Sequence, residues 1–234
     1  LVDVIPESIR TKYRLESFRD TIQNIHFPTS PVAAQKAFRT AKFMEFFLFA
    51  MKIQILKQRH RKPDPVAKVA YDPDLVKQFT SQLKFKLTDS QNKVVNEILS
   101  DLGKPLEMNR LLQGDVGSGK TVVAAIAILA AISAHKQAAI MAPTEILAEQ
   151  HFGKLVGWLE PILAPLGKKV AWLAGAQKKK ERAAMLELVA SGEAALVVGT
   201  HAVIQEQVRF KNLALAVIDE QHRFGVAQRL ALRK

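Results

Sequence analysis

Gly114-Asp-Val-Gly-Ser-Gly-Lys-Thr121 matches the pattern G-x-x-x-x-G-K-T, which is typical of a loop that binds the phosphates of a nucleotide. Glycines let such a backbone approach phosphate oxygens, and the helix that follows adds partial positive charge. Residues 110–113 are predicted to form a short apolar strand before the loop, and residues 122–134 a helix after it. We expect nucleotide contacts from the whole loop: Gly114, Asp115, Val116, Gly117, Ser118, Gly119, Lys120 and Thr121.

The composition is that of a globular protein with a surplus of positive charge. The 234 residues are 48% hydrophobic, enough for one well-buried domain and a smaller appendage. The sequence has no cysteine, which excludes disulfides and thiolate chemistry and suits a reducing compartment. The net charge of +12 favours a polyanionic partner such as nucleic acid. No cleavable leader opens the sequence and no apolar run could cross a bilayer, so we expect a soluble, cytoplasmic protein.

The first third of the sequence is predicted to be helical, because residues 1–78 contain no glycine and no apolar run of strand type. Ser30-Pro31 is a favourable helix start, and Pro63 would end the helix. Apolar residues between them recur at helical spacing, at Phe38, Ala41, Met44, Leu48, Met51 and Ile55. Phe43, Phe46, Phe47 and Phe49 widen this apolar face. We interpret the helix as a structural strut whose wide aromatic face packs on the preceding segment and the following domain. A proline-containing connector follows, so we predict a helical linker over 1–78 and a second domain over 79–234.

The second domain alternates apolar strand-like runs with helical stretches. The runs are continuous rather than alternating, as in a parallel sheet covered by helices on both faces. They comprise residues 138–142, 170–174, 194–199 and 213–218. The predicted fold is a three-layer α/β P-loop NTPase domain with a mostly parallel sheet.

Two carboxylates follow the last of these runs and complete a nucleotide site. A strand-end carboxylate is the usual partner of the P-loop hydroxyl in holding Mg²⁺, so we predict Thr121 and Asp219 as metal-side residues. Lys120 is predicted to neutralise the β- and γ-phosphates. Glu220 is predicted to orient or deprotonate the attacking water. ATP and Mg²⁺ are therefore the expected cofactors.

Thr88-Asp-Ser-Gln91 has two interpretations. As T-x-x-Q it is a capping box, in which the Gln91 side chain folds back onto its own backbone. Alternatively, the Gln91 amide could bind the adenine edge, which offers a complementary donor and acceptor, while Phe85 stacks on the base. The residues alone do not decide between them.

The ordered set of motifs resembles that of superfamily 2 helicases. The motifs are Phe85 to Gln91, the phosphate loop, Ala142-Pro-Thr-Glu145, Gly199-Thr-His201 and Asp219-Glu-Gln-His222. Within that superfamily, Gln113 to Thr121 and Asp219 to Val226 are similar to the RecG branch, whose members are ATP-dependent DNA translocases. The resemblance implies a RecA-like fold, and it implies remodelling of stalled forks and branched recombination intermediates such as Holliday junctions. The resemblance also favours Gln91 as the adenine-binding residue.

The same resemblance implies a DNA-facing role for the loops that contain Pro143, Thr144, Thr200 and His201. It implies that His222 links the nucleotide state to a second motor lobe. Other interpretations stay open: Pro143-Thr144 is also a good turn and helix cap, and either histidine could be an ordinary surface residue. The DNA partners implied are forks, Holliday junctions and duplex.

The resemblance further implies domains on either side of this sequence. A nucleic-acid-binding wedge domain is expected before residue 1, and a second RecA-like lobe with arginine fingers after residue 234. Such arginines contribute roughly 10³–10⁵ in rate, so we expect residues 1–234 alone to bind nucleotide but hydrolyse it poorly. Two rival functions are a P-loop kinase acting on a small metabolite and a nucleotide-binding module without turnover. Neither rival needs Glu220 beside Asp219.

Overall fold

The computed structural model describes residues 2–60, 67–175 and 177–223, and the chain forms two compact units, Leu1–Lys62 and Pro63–Lys234. The division lies earlier than the boundary after residue 78 that we predict from sequence. Val69, Val76 and Phe79 account for the difference, because all three side chains are buried in the core of the second unit. The predicted helix stop at Pro63 lies outside the described residues.

The first unit is helical, as predicted, with α1 (Glu7–Tyr13), α2 (Phe18–His26) and α3 (Pro31–His60). The start of α3 is confirmed, since the Ser30 hydroxyl accepts a hydrogen bond from the Ala33 N–H at 3.1 Å. With 30 residues, α3 is about 45 Å long at 1.5 Å per residue.

The aromatic face of α3 divides into packed and exposed parts within this unit. Tyr13 of α1 contacts Phe43 with ring centroids 5.2 Å apart, and α2 packs alongside α3. Phe46 and Phe49, in contrast, are 74% and 63% exposed. The expected packing on the preceding segment therefore involves only part of the face.

The second unit is built from five α-helices and four strands among its described residues. The helices are α4 (Pro73–Gln82), α5 (Asp89–Leu102), α6 (Lys120–Ser133), α7 (Glu145–Leu163) and α8 (Lys179–Ser191). The strands are β1 (Gln137–Met141), β2 (Lys169–Leu173), β3 (Ala194–Gly199) and β4 (Leu213–Ile218). Each predicted apolar run is a strand, displaced by at most one residue.

The four strands form one parallel sheet in the order β2-β3-β1-β4, with helices on both faces. On one face, Ala138 and Ile140 of β1 pack into a large core with α5, α6 and α7. On the other face, Ala139 joins a smaller core that includes Val189 of α8. This arrangement confirms the predicted three-layer α/β fold. Among the described residues, no helix is long and apolar enough to cross a membrane.

The strand predicted at residues 110–113 is wrong, since this segment joins none of the strand pairs and has no regular secondary structure. The reason lies in its side chains. The Arg110 guanidinium donates to Glu97 at 2.8 Å and to Asp101 at 2.6 Å, both on α5. Leu111 is 70% exposed, so the segment lacks the two buried faces of an interior strand.

Candidate active site

The four strands end side by side at one edge of the sheet. Their last residues pair in register: Leu173 with Gly199, Gly199 with Met141, and Met141 with Ile218. Main-chain bonds continue one residue further, from Ala142 N to Gly199 O, Thr200 N to Leu173 O, and Asp219 N to Met141 O. The loops that follow β1, β3 and β4 therefore begin along one line, which we call the carboxyl edge.

The phosphate loop reaches the same edge through the direction of α6. This helix ends at Ser133 and β1 begins at Gln137, so the chain reverses within three residues, and α6 packs on β1 and β4. The 14 residues of α6 span about 21 Å and the five of β1 about 17 Å. The N-terminus of α6, which bears Lys120 and Thr121, therefore lies at the carboxyl edge with Asp219.

The loop has the backbone shape that its glycines permit. Gly117 and Gly119 have φ values of 84° and 80°, in the left-handed region that other residues rarely adopt. Gly119 is the N-cap of α6 and, without a side chain, leaves the first-turn N–H groups to an external acceptor. A helix start of this kind binds anions.

The Lys120 side chain curls into the loop. Its ammonium donates to the carbonyl oxygens of Gly114 at 2.6 Å and Asp115 at 2.8 Å. A Lys ammonium has three donors, so these two bonds hold the positive charge at the centre of the loop and leave one N–H for a further acceptor. Thr121, next in the chain, is half-buried.

The two predicted carboxylates follow β4 directly, with different backbone conformations. Asp219 continues the strand pairing, whereas Glu220 has a φ of 51°, uncommon for a residue other than glycine. The Glu220 side chain pairs with the Arg223 guanidinium at 3.2 Å. The two side chains have different partners, and strained backbone positions such as Glu220 cluster at functional sites.

His151 is a member of this site that the sequence analysis missed. Its Nε2 lies 2.7 Å from Oδ2 of Asp219, and the two side chains are 14% and 30% exposed. A lone histidine in a helix gives little signal in one sequence. The available signal was its spacing, three residues after Ala148 and four before Leu155, which puts a polar residue in the buried row of α7.

Gln91 forms the predicted capping box and also contacts the phosphate loop. Its Oε1 accepts from the Thr88 N–H at 2.9 Å, and its Nε2 donates to the Ser118 carbonyl at 2.9 Å. The amide lies so close to Gly119 that a Cβ there would collide with Nε2. Phe85 is partly exposed and lines a cavity of about 740 Å³ together with Leu83, Leu87 and Asn92.

The residues predicted to face DNA lie on the loops after β1 and β3. Thr144 caps α7, with its hydroxyl accepting from the Leu147 N–H at 3.3 Å, and it is exposed. Thr200 is buried, and its hydroxyl makes no hydrogen bond to any described residue. His201 is exposed at the start of a 3₁₀ turn. The side chain of His222 lies outside the part of the chain that the structure describes.

Asp219 and Thr121 carry oxygen donors of the kind that Mg²⁺ prefers. Within residues 2–60, 67–175 and 177–223, no three His, Asp or Glu side chains converge as a metal site. Mg²⁺ is typically bound through one or two carboxylates together with substrate phosphates and water. Asp219 and Thr121, at one edge with the phosphate loop, are the residues that could hold such an ion.

The sequence profile of the DEAD/DEAH box helicases matches residues 88–234, which include the phosphate loop and both carboxylates. The chain belongs to the DEAD/DEAH box helicase family. Its α/β fold is therefore the RecA-like P-loop domain of these helicases.

Similar proteins match nearly the whole length of this chain. It is 47% identical over 99% of its residues to the ATP-dependent DNA helicase RecG of a Synechocystis species, and 45% identical over 98% to that of Staphylococcus epidermidis. A solved structure of RecG bound to a three-way DNA junction is 38% identical, with a TM-score of 0.78 over 96% of the chain and 30% of that structure. The chain spans 27% of the length of the Synechocystis protein and 33% of that of the Staphylococcus epidermidis protein.

Proposed function

We propose that this chain is the ATP-binding first motor lobe, with a helical segment before it, of an ATP-dependent DNA helicase of the RecG type. One observation supports the proposal most: the phosphate loop and the Asp219-Glu220 pair lie at the same carboxyl edge of the sheet. In open parallel sheets, ligands bind outside the carboxyl ends of the strands. The similarity to RecG proteins along 98–99% of the chain supports the choice of helicase.

Each group at the edge has a role in binding and hydrolysing ATP. The N–H groups of the loop and of the first turn of α6 bind the phosphates, and Lys120 offsets their charge. Thr121 and Asp219 would hold Mg²⁺, which would supply positive charge to neutralise the phosphates. Glu220 orients the attacking water and accepts its proton.

Gln91 can keep its cap and still bind adenine. A side-chain amide offers two N–H donors and two acceptor lone pairs. The bonds to Thr88 and Ser118 use one of each. The remaining donor and acceptor form the pair that the adenine edge requires, and Phe85 supplies a partly exposed ring for stacking.

DNA is the proposed partner, contacted by the loops after β1 and β3 through Pro143, Thr144, Thr200 and His201. The net charge of +12 supports a polyanionic partner. The RecG structure similar to this chain contains a three-way DNA junction. We extend the proposal to forks, Holliday junctions and duplex as substrates, to fork remodelling by branch migration, and to work in the cytoplasm.

The parent protein is proposed to supply what this chain does not contain. The relatives are three to four times longer, since the chain spans 27% and 33% of their lengths. A wedge domain would guide the DNA. A second RecA-like lobe would close the nucleotide cleft with arginine fingers. His222 would link the nucleotide state to that lobe. Without those arginines, hydrolysis by residues 1–234 alone is expected to fall by about 10³–10⁵.

The test is ATP hydrolysis by the full-length protein on DNAs of identical sequence and length. Linear duplex, single strand and a three-way junction form a matched set, with phosphate release as the readout. We expect the junction to stimulate hydrolysis most. We also expect a fork with homologous arms to be remodelled by branch migration in the presence of ATP. Equal hydrolysis with and without DNA would refute the helicase assignment. Transfer of phosphate to a small metabolite instead of water would favour a kinase.

A further inference from the structure

Both oxygens of the Asp219 carboxylate have protein partners. Oδ1 accepts a hydrogen bond from the backbone N–H of Glu220 at 3.0 Å, and Oδ2 lies 2.7 Å from Nε2 of His151. Because an ionised carboxylate can only accept, Nε2 is the donor of the second bond. The first bond is local, whereas the second comes from a residue 68 positions earlier in the chain.

The His151 imidazole is presented by a well-anchored helix. Ala148, Leu155 and Leu159 form a fully buried row along α7, and His151 continues that row at helical spacing. The helix is capped at its first turn by Thr144 and packs on α6, β2 and β3. The imidazole is therefore held by the packing of the whole helix.

A carboxylate needs such a partner to keep one orientation. The terminal torsion of aspartate is broad, so the carboxylate plane is free to turn unless hydrogen bonds fix it. Carboxylates that bind metals are in turn hydrogen-bonded by neighbouring groups, and loss of such a partner typically lowers metal affinity or activity by about 10–100-fold.

We propose that His151 is a positioning residue that fixes the orientation of the Asp219 carboxylate for Mg²⁺. The inference rests on the proposed role of Asp219 at the metal. Each carboxylate oxygen accepts one of these bonds and keeps one lone pair, which would be available to Mg²⁺ or one of its waters. It also joins this carboxylate to the helix that begins at the loop after β1, where we propose a DNA contact.

The test measures the Mg²⁺ requirement of nucleotide binding in the full-length protein. A fluorescent ATP analogue is held at fixed concentration while Mg²⁺ is titrated, and its affinity in EDTA gives the metal-independent baseline. His151→Leu removes the donor and keeps comparable volume. His151→Gln places an amide N–H at a similar reach. His26→Leu, at an exposed histidine of α2, is the matched control.

We expect His151→Leu to raise the Mg²⁺ concentration at half-maximal binding by about 10–100-fold, with unchanged affinity in EDTA. His151→Gln should remain within about threefold of the natural protein, because the donor is restored. His26→Leu should change nothing. An unchanged Mg²⁺ requirement in His151→Leu would overturn the inference. So would equal losses in the Leu and Gln variants with lowered unfolding temperatures, which would indicate a packing role.

Asp219→Asn separates this inference from the proposed function. If Asp219→Asn raises the Mg²⁺ requirement and His151→Leu does not, the inference about His151 is wrong and the metal role of Asp219 stands. If Asp219→Asn leaves the requirement unchanged, the metal role of Asp219 is wrong, and the inference falls with it.

Discussion

The two ends of the sheet use polar side chains in opposite ways. At the amino end, Gln137 is buried, and its amide bonds to three backbone groups: Nε2 donates to Val189 O at 2.9 Å and Ala194 O at 2.8 Å, and Oε1 accepts from Asn212 N at 2.9 Å. At the carboxyl end, Asp219 and Glu220 are partly exposed and pair with the side chains of His151 and Arg223.

We interpret the buried amide as structural and, under the proposed function, the accessible carboxylates as catalytic. A buried amide bonded to three backbone groups holds α8, β1, β3 and the start of β4 together, and it leaves little capacity for a ligand. Carboxylates that solvent can reach are able to exchange partners. We therefore expect substitutions at the amino end to change stability, and substitutions at the carboxyl end to change turnover.

The largest expected effect is a loss of ATP hydrolysis on substitution of Glu220. A matching loss of stability would contradict the comparison of the two ends. Glu220→Gln should lower DNA-stimulated ATP hydrolysis by the full-length protein by about 10²–10⁴, because the amide cannot accept a proton from water. Nucleotide affinity and the unfolding temperature should change little. Glu187→Gln, the same change at an exposed position of α8, is the control for phosphate-release measurements. Retained hydrolysis would remove Glu220 from the chemistry.

A second substitution tests the amino end. Gln137→Leu leaves two carbonyls and one N–H without this partner, at about 1–3 kcal/mol for each group left unsatisfied, so we expect a loss of about 3 kcal/mol in the free energy of unfolding. Urea denaturation of the full chain measures it. The control is Gln177→Leu, near the end of β2, whose half-buried amide also bonds to backbone; we expect about 1 kcal/mol there. Equal losses would contradict the expectation that full burial makes the Gln137 bonds worth more than those of the half-buried Gln177.

The smallest expected effect is at Asp101, whose ion pairs with Lys104 and Arg110 belong to neither end of the sheet. Hydrogen bonds from Lys104 and Arg110 hold the pKa of Asp101 below its ordinary value of 3.8. The ionised group therefore stabilises the folded state above that value, and the stabilisation is lost as the pH falls through the lowered pKa.

Asp101→Asn should therefore lower the free energy of unfolding by about 1 kcal/mol or less near pH 7. Its difference from the natural protein should shrink as the pH falls below about 4. Urea denaturation over a pH series measures both. Asp74→Asn, which removes the carboxylate of a well-exposed pair with Lys77 at 3.8 Å, is the control. A difference that grows on acidification would contradict the assigned sign.

The sheet could be predicted from sequence because each strand reads as a continuous apolar run. The interior strands β1 and β3 are buried on both faces, whereas the edge strands β2 and β4 are only partly buried. The phosphate loop was predictable for a related reason: its glycines and the apolar helix after it are local features. Residues 110–113 show the limit of this logic. Their apolar character suggested a strand, but the Arg110 bonds to Glu97 and Asp101 are tertiary contacts that periodicity does not encode.

The two carboxylates of the candidate site are recognisable in the sequence, but their contacts are not. Asp219 and Glu220 stand out because they follow an apolar run. His151 does not, because its partner lies 68 residues away and only the fold brings them together. Gln91 gave two interpretations that looked exclusive in sequence. The structure shows the capping bond, and the same amide reaches Ser118 with its other end.

The spacing of the loops along the carboxyl edge depends on main-chain bonds from Ala142, Thr200 and Asp219 to the neighbouring strands. Most point mutations leave such amides intact, so side chains on these loops could diversify while the loops keep their starting positions. Two kinds of mutation would disturb these starting positions. Proline at one of the three positions deletes a donor, and loss of a single strand residue shifts one loop against the others.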